Sequence, residues 1–310
     1  MRPTVVLLLS DKRSGSTMFQ QELCRHSDIQ TVSYSPHTYL ETHHWLKAAV
    51  LLESAPADFS GGRVYQGYGE RTNARTYTED CIKGNVPQFD TTMSDRDLVF
   101  DGWEALCRRF AKPVFFEKSP QYLAHWAALE LMLEWIKHTE FEVKVIGLIR
   151  HPLSVLYSAE ELFHSNPQKR QFGWAEIYRN WIRLTECLDA DQFMLCRYEN
   201  LIENPRSAFG EICDFIGVPR DPNVGAQVKD SSLAKWRVDP FFSIQLDPSV
   251  SDIAIELGYS ADELVNPCKI KAPLVLRLKR LVVGRTKLVM ARLRDRLWRP
   301  FLLRYKLKSK

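Results

Sequence analysis

A short apolar stretch, residues 5–9 (Val-Val-Leu-Leu-Leu), runs directly into Ser10-Asp11-Lys12-Arg13-Ser14-Gly15-Ser16-Thr17, after which Met18-Phe19-Gln20-Gln21-Glu22-Leu23 takes up a helical pattern. An apolar run without polar alternation suits a strand buried on both faces. A strand, a turn of small residues and a helix start make an anion site. The first backbone N–H groups of the helix have no partner within it, and the helix dipole favours negative charge there. Gly15 lets the backbone approach a ligand closely, and Ser14, Ser16 and Thr17 add hydroxyl donors. The turn departs from the G-x-x-x-x-G-K-[ST] loop of nucleoside triphosphatases. Ser10 stands at the first glycine and Ser16 at the lysine, so the usual contact to β- and γ-phosphates is missing.

Further apolar runs recur at residues 113–116, 143–149 and 192–196, and 30–34 reads as a second strand. Helical patterns separate them, at 124–137, 174–188 and 205–216. Strands alternating with helices predict a parallel sheet covered on both faces. Residues 38–101 are less regular and rich in Gly, Thr and Asn, which predicts short helices or an acceptor-binding insertion. Residues 1–268 read as one large α/β domain. From 269 to 310 the chain carries fifteen Lys or Arg and one acid, Asp295, a balance of +14 against −10 for everything before it. This segment reads as a basic amphipathic helical tail. Leu274, Leu278 and Leu281 share one stripe, and Val289, Leu293 and Leu297 another, so an anionic membrane surface is a candidate partner. No nucleic-acid partner is expected, and the oligomeric state is open.

Seven cysteines without a CxxC pair argue against a disulfide framework or a zinc site, and for a reducing compartment. Cys187, Cys196 and Cys213 are expected in the core. His43-His44 lacks the i, i+4 spacing of a helical zinc pair, so no metal is expected. The opening Met1-Arg2-Pro3 leads into too short an apolar run for a signal peptide or a span, which predicts a cytoplasmic protein, peripheral at the membrane if the tail binds there.

Three further segments carry chemistry. The run 145–149 ends in Arg150-His151-Pro152, and a helix pattern follows with Ser158. A guanidinium fork and a hydroxyl eight residues on can grip one phosphate. Arg197-Tyr198-Glu199-Asn200-Leu201 follows the last run, and Phe115-Phe116-Glu117-Lys118-Ser119-Pro120 closes the run that starts at 113. With Ser231-Ser232-Leu233-Ala234-Lys235-Trp236-Arg237, these segments resemble, in order, those of sulfotransferases that use 3′-phosphoadenosine 5′-phosphosulfate (PAPS).

Arg13-Ser14-Gly15-Ser16-Thr17 looks like the family's 5′-phosphosulfate loop. Its arginine is the choice of carbohydrate and tyrosylprotein members, where cytosolic members have lysine. Arg150 and Ser158 match the 3′-phosphate motif. Tyr198-Glu199-Asn200-Leu201 is similar to a Tyr-Glu-Asp-Leu segment, with Asn200 replacing the aspartate. The segment around Lys235, Trp236 and Arg237 resembles a lid, in which the two cations add charge near the phosphates and the indole covers the adenine. Glu117-Lys118-Ser119 looks like the Glu-Lys-Ser/Thr segment of heparan-type members, whose lysine faces the transferring group.

The resemblance implies an α/β, P-loop-NTPase-like sulfotransferase fold, with a central parallel sheet flanked by helices. It implies PAPS as co-substrate and PAP as product, held by Lys12, Arg13, Ser14, Gly15, Ser16, Thr17, Met18, Arg150, Ser158, Tyr198, Lys235, Trp236 and Arg237. Charge on the leaving oxygen must be stabilised: Arg13 is the first candidate and Lys118 the second. A base must take the acceptor's proton. Candidates are His37, Glu41, His43 and His44, with Glu41 preferred and His37 next. The acceptor is a hydroxyl or an amine; sugar, lipid, peptide tyrosine and small natural product remain open. Two other functions compete. One is a P-loop-type small-molecule kinase, which the missing lysine opposes. The other is a non-catalytic peripheral membrane protein on the same fold.

Overall fold

The computed structural model describes residues 2–37, 39–55, 71–228, 233–267 and 286. The basic tail, apart from residue 286, and the first two residues of the lid-like segment lie outside these, so the membrane-surface expectation falls outside the described residues.

The first strand, β1 (Thr4–Ser10), is wholly buried and is followed by α1 (Ser16–Leu23). Next come a two-residue β2 (Ile29–Gln30), α2 (His44–Leu51), α3 (Arg71–Asn85) and α4 (Asp95–Phe110). Strand β3 (Val114–Lys118) leads through a 3₁₀ turn, Pro120–Ala124, into α5 (Trp126–His138). Strand β4 (Glu142–Ile149) is followed by α6 (Pro152–Phe163) and α7 (Pro167–Thr185). Strand β5 (Phe193–Arg197) gives way to α8 (Tyr198–Glu203) and α9 (Pro205–Ile216), and then to α10 (Lys235–Val238), α11 (Pro248–Glu256) and α12 (Ala261–Leu264).

The strands form one sheet in the order β2-β3-β1-β4-β5, and every pairing is parallel. The period-two rule divides β1 cleanly. Val5, Leu7 and Leu9 join a core with α2, α4, α5 and α7, while Val6 and Leu8 join a second core with α1, α8 and α9. Both faces are therefore apolar, which is why the strand reads as an unbroken run. Parallel pairing puts all strand ends with the same sense at one edge. The turns after β1, β3, β4 and β5 meet there, and β1, at the centre, is the point where the strand order reverses. Open α/β sheets bind ligands at such an edge.

Several expectations are corrected by the structure. The run 30–34 holds a strand only at its start. Asn85 intercepts the chain, with its Oδ1 accepting from the N–H groups of Ser33 (2.9 Å) and Tyr34 (3.0 Å) and its Nδ2 donating to the Tyr34 carbonyl (2.8 Å). A side-chain amide thus takes the hydrogen bonds a neighbouring strand would supply. The irregular stretch 38–101 holds, within its described part, α2, the fifteen-residue α3 and the first seven residues of α4. The helix expected from Trp174 begins at Pro167, where Asn166 caps it by accepting from the Gln168 N–H. Cys187 is exposed, whereas Cys196 and Cys213 are buried. Among the described residues no helix is long and apolar enough to cross a membrane.

Candidate active site

The turn after β1 is held open by its own backbone. Gly15 adopts φ 94° and caps α1 without any side-chain hydrogen bond, which leaves the first N–H groups of the helix to a ligand. The Tyr198 ring fills the place where a Cβ on Gly15 would stand, 2.3 Å from that position to Cε2. Tyr198 is in turn covered by the Arg150 guanidinium, 4.4 Å from the ring centroid. Ser14 Oγ meets the Tyr178 hydroxyl at 3.3 Å, and Tyr178 donates to the Leu148 carbonyl at 2.8 Å. Asp11, buried beneath the loop, pairs with Arg170. Burial pushes its carboxyl up, against the pull of that guanidinium.

The two anion motifs converge. Arg150 Nη1 donates to the Arg13 carbonyl at 3.0 Å, and Arg13 Nε donates to Ser158 Oγ at 3.1 Å. Arg150 is only 8% exposed, and burial lowers its pKa from the free value. A cation kept at that cost suits an anionic ligand. Lys12 and Arg13 reach outward, and Thr17 and Met18 are partly exposed on α1. The first turn, Arg150 and Ser158 fit a nucleotide carrying two phosphate groups, as PAP does.

On the other side of β1 lies a second cluster. Lys118, at the end of β3, is fully buried and donates to Glu41 Oε1 at 2.9 Å. Glu41 Oε2 contacts His43 Nε2 at 2.9 Å and His37 Nδ1 at 3.4 Å. Burial alone would raise the Glu41 pKa, but the hydrogen bond to His43 and the charges of Lys118, His43 and His37 outweigh it and hold it at about 2. Glu41 is therefore a buried carboxylate in a turn, not an exposed residue on a helix. His44 is separate. It bonds to the Val99 carbonyl at 2.9 Å, packs on Trp103, and burial lowers its pKa to about 4. Among the described residues His37, Glu41 and His43 are the one trio with ligand atoms mutually within 4.8 Å. The positive charge a metal ion would bring to Glu41 is already supplied by Lys118.

The lid-like segment is placed differently from the anion loops. Trp236 is 1% exposed, donates to Ser154 Oγ at 3.1 Å and stacks on His151 at 5.2 Å. Its indole packs on α6 and presents no open face to a nucleotide in this structure, while Lys235 and Arg237 are exposed. Residues that sequence reasoning passed over also emerge. Glu117, Thr42 and Tyr122 form a buried hydrogen-bonded group under the Glu41 cluster. The Tyr39 ring centroid lies 5.7 Å from the Lys118 ammonium, and burial and the charge of Lys12 lower the His125 pKa to about 4. In the sequence Glu117 stands only as the first residue of the Glu-Lys-Ser segment and as a charge at the inner end of an apolar run.

Comparison with known proteins bears on the fold and the family. The chain superposes on the sulfotransferase domain of the Synechococcus PCC 7002 olefin synthase with TM-score 0.56, at 21% identity, over 83% of this chain and 95% of that one. It superposes on the sulfotransferase domain of the curacin biosynthetic pathway with TM-score 0.55, also at 21% identity, over 83% and 98%. These likenesses establish the P-loop-like fold. No curated protein sequence gives a match. The model of a sulfotransferase family matches residues 5–222. That span runs from β1 past α9, taking in the Arg13 loop, the Glu41 cluster, Lys118, Arg150 and Tyr198, and on it this chain belongs to the sulfotransferase family.

Proposed function

We propose that the protein transfers a sulfuryl group from PAPS to a hydroxyl or amine acceptor and releases PAP. The observation that carries this is the convergence of Arg150 and Ser158 on Arg13, which supports a second phosphate site beside the first. The acceptor's oxygen or nitrogen bonds to sulfur as the bond from sulfur to the phosphate oxygen breaks. The negative charge then moves onto that oxygen, where Arg13 and the helix start can stabilise it. In this reading Lys118, beside Glu41, neutralises the sulfuryl oxygens. The acceptor's proton goes to the Glu41–His37 pair, in which Glu41 carries the charge and His37 is the member nearer the surface. Sugar, lipid, peptide tyrosine and small natural product all remain candidate acceptors, carbohydrate and lipid foremost.

Calorimetry in EDTA tests the donor assignment. PAP is expected to bind without magnesium and more tightly than ADP. Arg150→Ala should weaken PAP by about 1.5–3 kcal/mol, the range for a lost charged hydrogen bond. Equal affinity for PAP and ADP would remove the 3′-phosphate site. A preference for ATP with magnesium would favour the kinase reading.

For the basic tail we propose an anionic membrane surface as partner, on the cytoplasmic side. The support is its charge of +14 beside leucine stripes, with Trp298, Phe301 and Tyr305 suited to an interface. Each basic residue near such a surface contributes about 1 kcal/mol. Full-length protein should co-sediment with phosphatidylserine vesicles at low salt, release as salt rises, and ignore neutral vesicles. Absence of sedimentation with anionic vesicles at low salt would overturn the proposal.

A further inference from the structure

One buried carboxylate serves both halves of the acceptor-side cluster without belonging to it. Glu117, the residue before Lys118, is 1% exposed. Its Oε1 accepts from Thr42 Oγ1 at 2.7 Å and from Ser119 Oγ, with the Tyr122 hydroxyl at 3.5 Å. Its Oε2 is buried with no hydrogen bond. Thr42 lies between Glu41 and His43, and its Oγ1 also accepts from the His44 N–H at 3.3 Å. Ser119 follows Lys118, and its Oγ accepts from the His43 N–H at 3.0 Å. A single oxygen thus ties the turn bearing Glu41 and His43 to the strand end bearing Lys118.

That turn needs holding. Leu40 and His43 sit at φ 56° and 49°, left-handed values that non-glycine residues adopt at a cost. The contacts it must keep, Lys118 to Glu41 and His43 to Glu41, are both 2.9 Å. Displacing reacting groups by about 1 Å can cost on the order of 100-fold in rate. Burying Glu117 is itself expensive: desolvation, with the charge of Glu41, raises its pKa to about 7. An apolar residue would avoid that expense but would take away the acceptor that the Thr42 and Ser119 hydroxyls share.

We propose that Glu117 is the positioning residue of the transfer centre, registering the Glu41–His43 turn against Lys118 by accepting the hydroxyls of Thr42 and Ser119. The proposal rests on Glu41 and Lys118 forming that centre. The test uses full-length protein with E117Q, E117A and the pair T42V/S119A. E117Q keeps an oxygen to accept both hydroxyls and should retain kcat within about fivefold. E117A and T42V/S119A should each lose about 100-fold in kcat. PAP affinity should stay within about twofold in all three, because the donor loop is untouched.

Side-chain NMR of His37 and His43 supplies a readout independent of turnover. Their resonances should move in E117A and T42V/S119A and stay near wild type in E117Q. PAP affinity falling in step with kcat, E117Q as inactive as E117A, or unmoved histidine resonances in T42V/S119A would each overturn the proposal. If E117A does not fold, T42V/S119A decides. If the wild type shows no PAPS-dependent turnover, the proposed function fails by itself, and the histidine resonances still decide the role of Glu117.

Discussion

Glu41→Gln is expected to lower turnover by about 10²–10⁴-fold, the range for loss of a positioned base, while PAP affinity stays near wild type. The substitution keeps the shape of the side chain and removes the charge that Lys118, His43 and His37 share. The donor loop lies across β1 from this cluster, so single-turnover kinetics should place the loss in transfer and calorimetry should find PAP binding intact. Near-normal turnover would move the base to His37 alone, and a matching collapse in His37→Ala would settle that. The same variant has a signature in stability. A carboxyl held at about 2 against an ordinary 4.5 contributes stability that is fully present above pH 4.5 and is lost as pH falls toward 2. Thermal melts over that window should therefore fall more steeply for wild type than for Glu41→Gln. Parallel curves would mean that Glu41 is not held as an ionised buried group.

Gly15→Ala is the second large effect. Its φ of 94° lies where L-residues are strained, at a cost of about 1–3 kcal/mol. The added methyl also meets the Tyr198 ring, 2.3 Å from Cε2 and 2.5 Å from Cδ2. That ring cannot swing aside freely, because Arg150 lies over its face and α8 holds its backbone. Relief must come from the loop, and the loop is what presents the N–H groups. PAP affinity should fall by about tenfold or more, with a lower melting temperature. Wild-type PAP affinity in Gly15→Ala would exclude this turn as the donor site.

What the sequence by itself determined is local or periodic. The strand, the glycine turn and the helix start after it follow from a dozen adjacent residues, because backbone sterics and unpaired helix N–H groups act over one turn of chain. Continuous apolar runs alternating with helical patterns led to a parallel sheet covered on both faces, because burial pattern is written along each strand. The arginines proposed to bind anions were legible for the same reason: Arg150 stands where an apolar run stops, and Arg13 in the turn that follows one.

Tertiary structure decided what lies between those segments. Four residues within eight positions were candidate bases, and only the approach of Lys118, 77 residues away, separates Glu41 from His44. Glu117 and Thr42 are 75 residues apart in the chain and 2.7 Å apart in space. Trp236 was expected over a nucleotide, and in the fold its indole faces His151, the residue just before α6. Strand order β2-β3-β1-β4-β5 brings the ends of β3, β1 and β4 together. No local preference encodes which distant ends become neighbours, because that choice is made by the packing of two cores on a shared sheet.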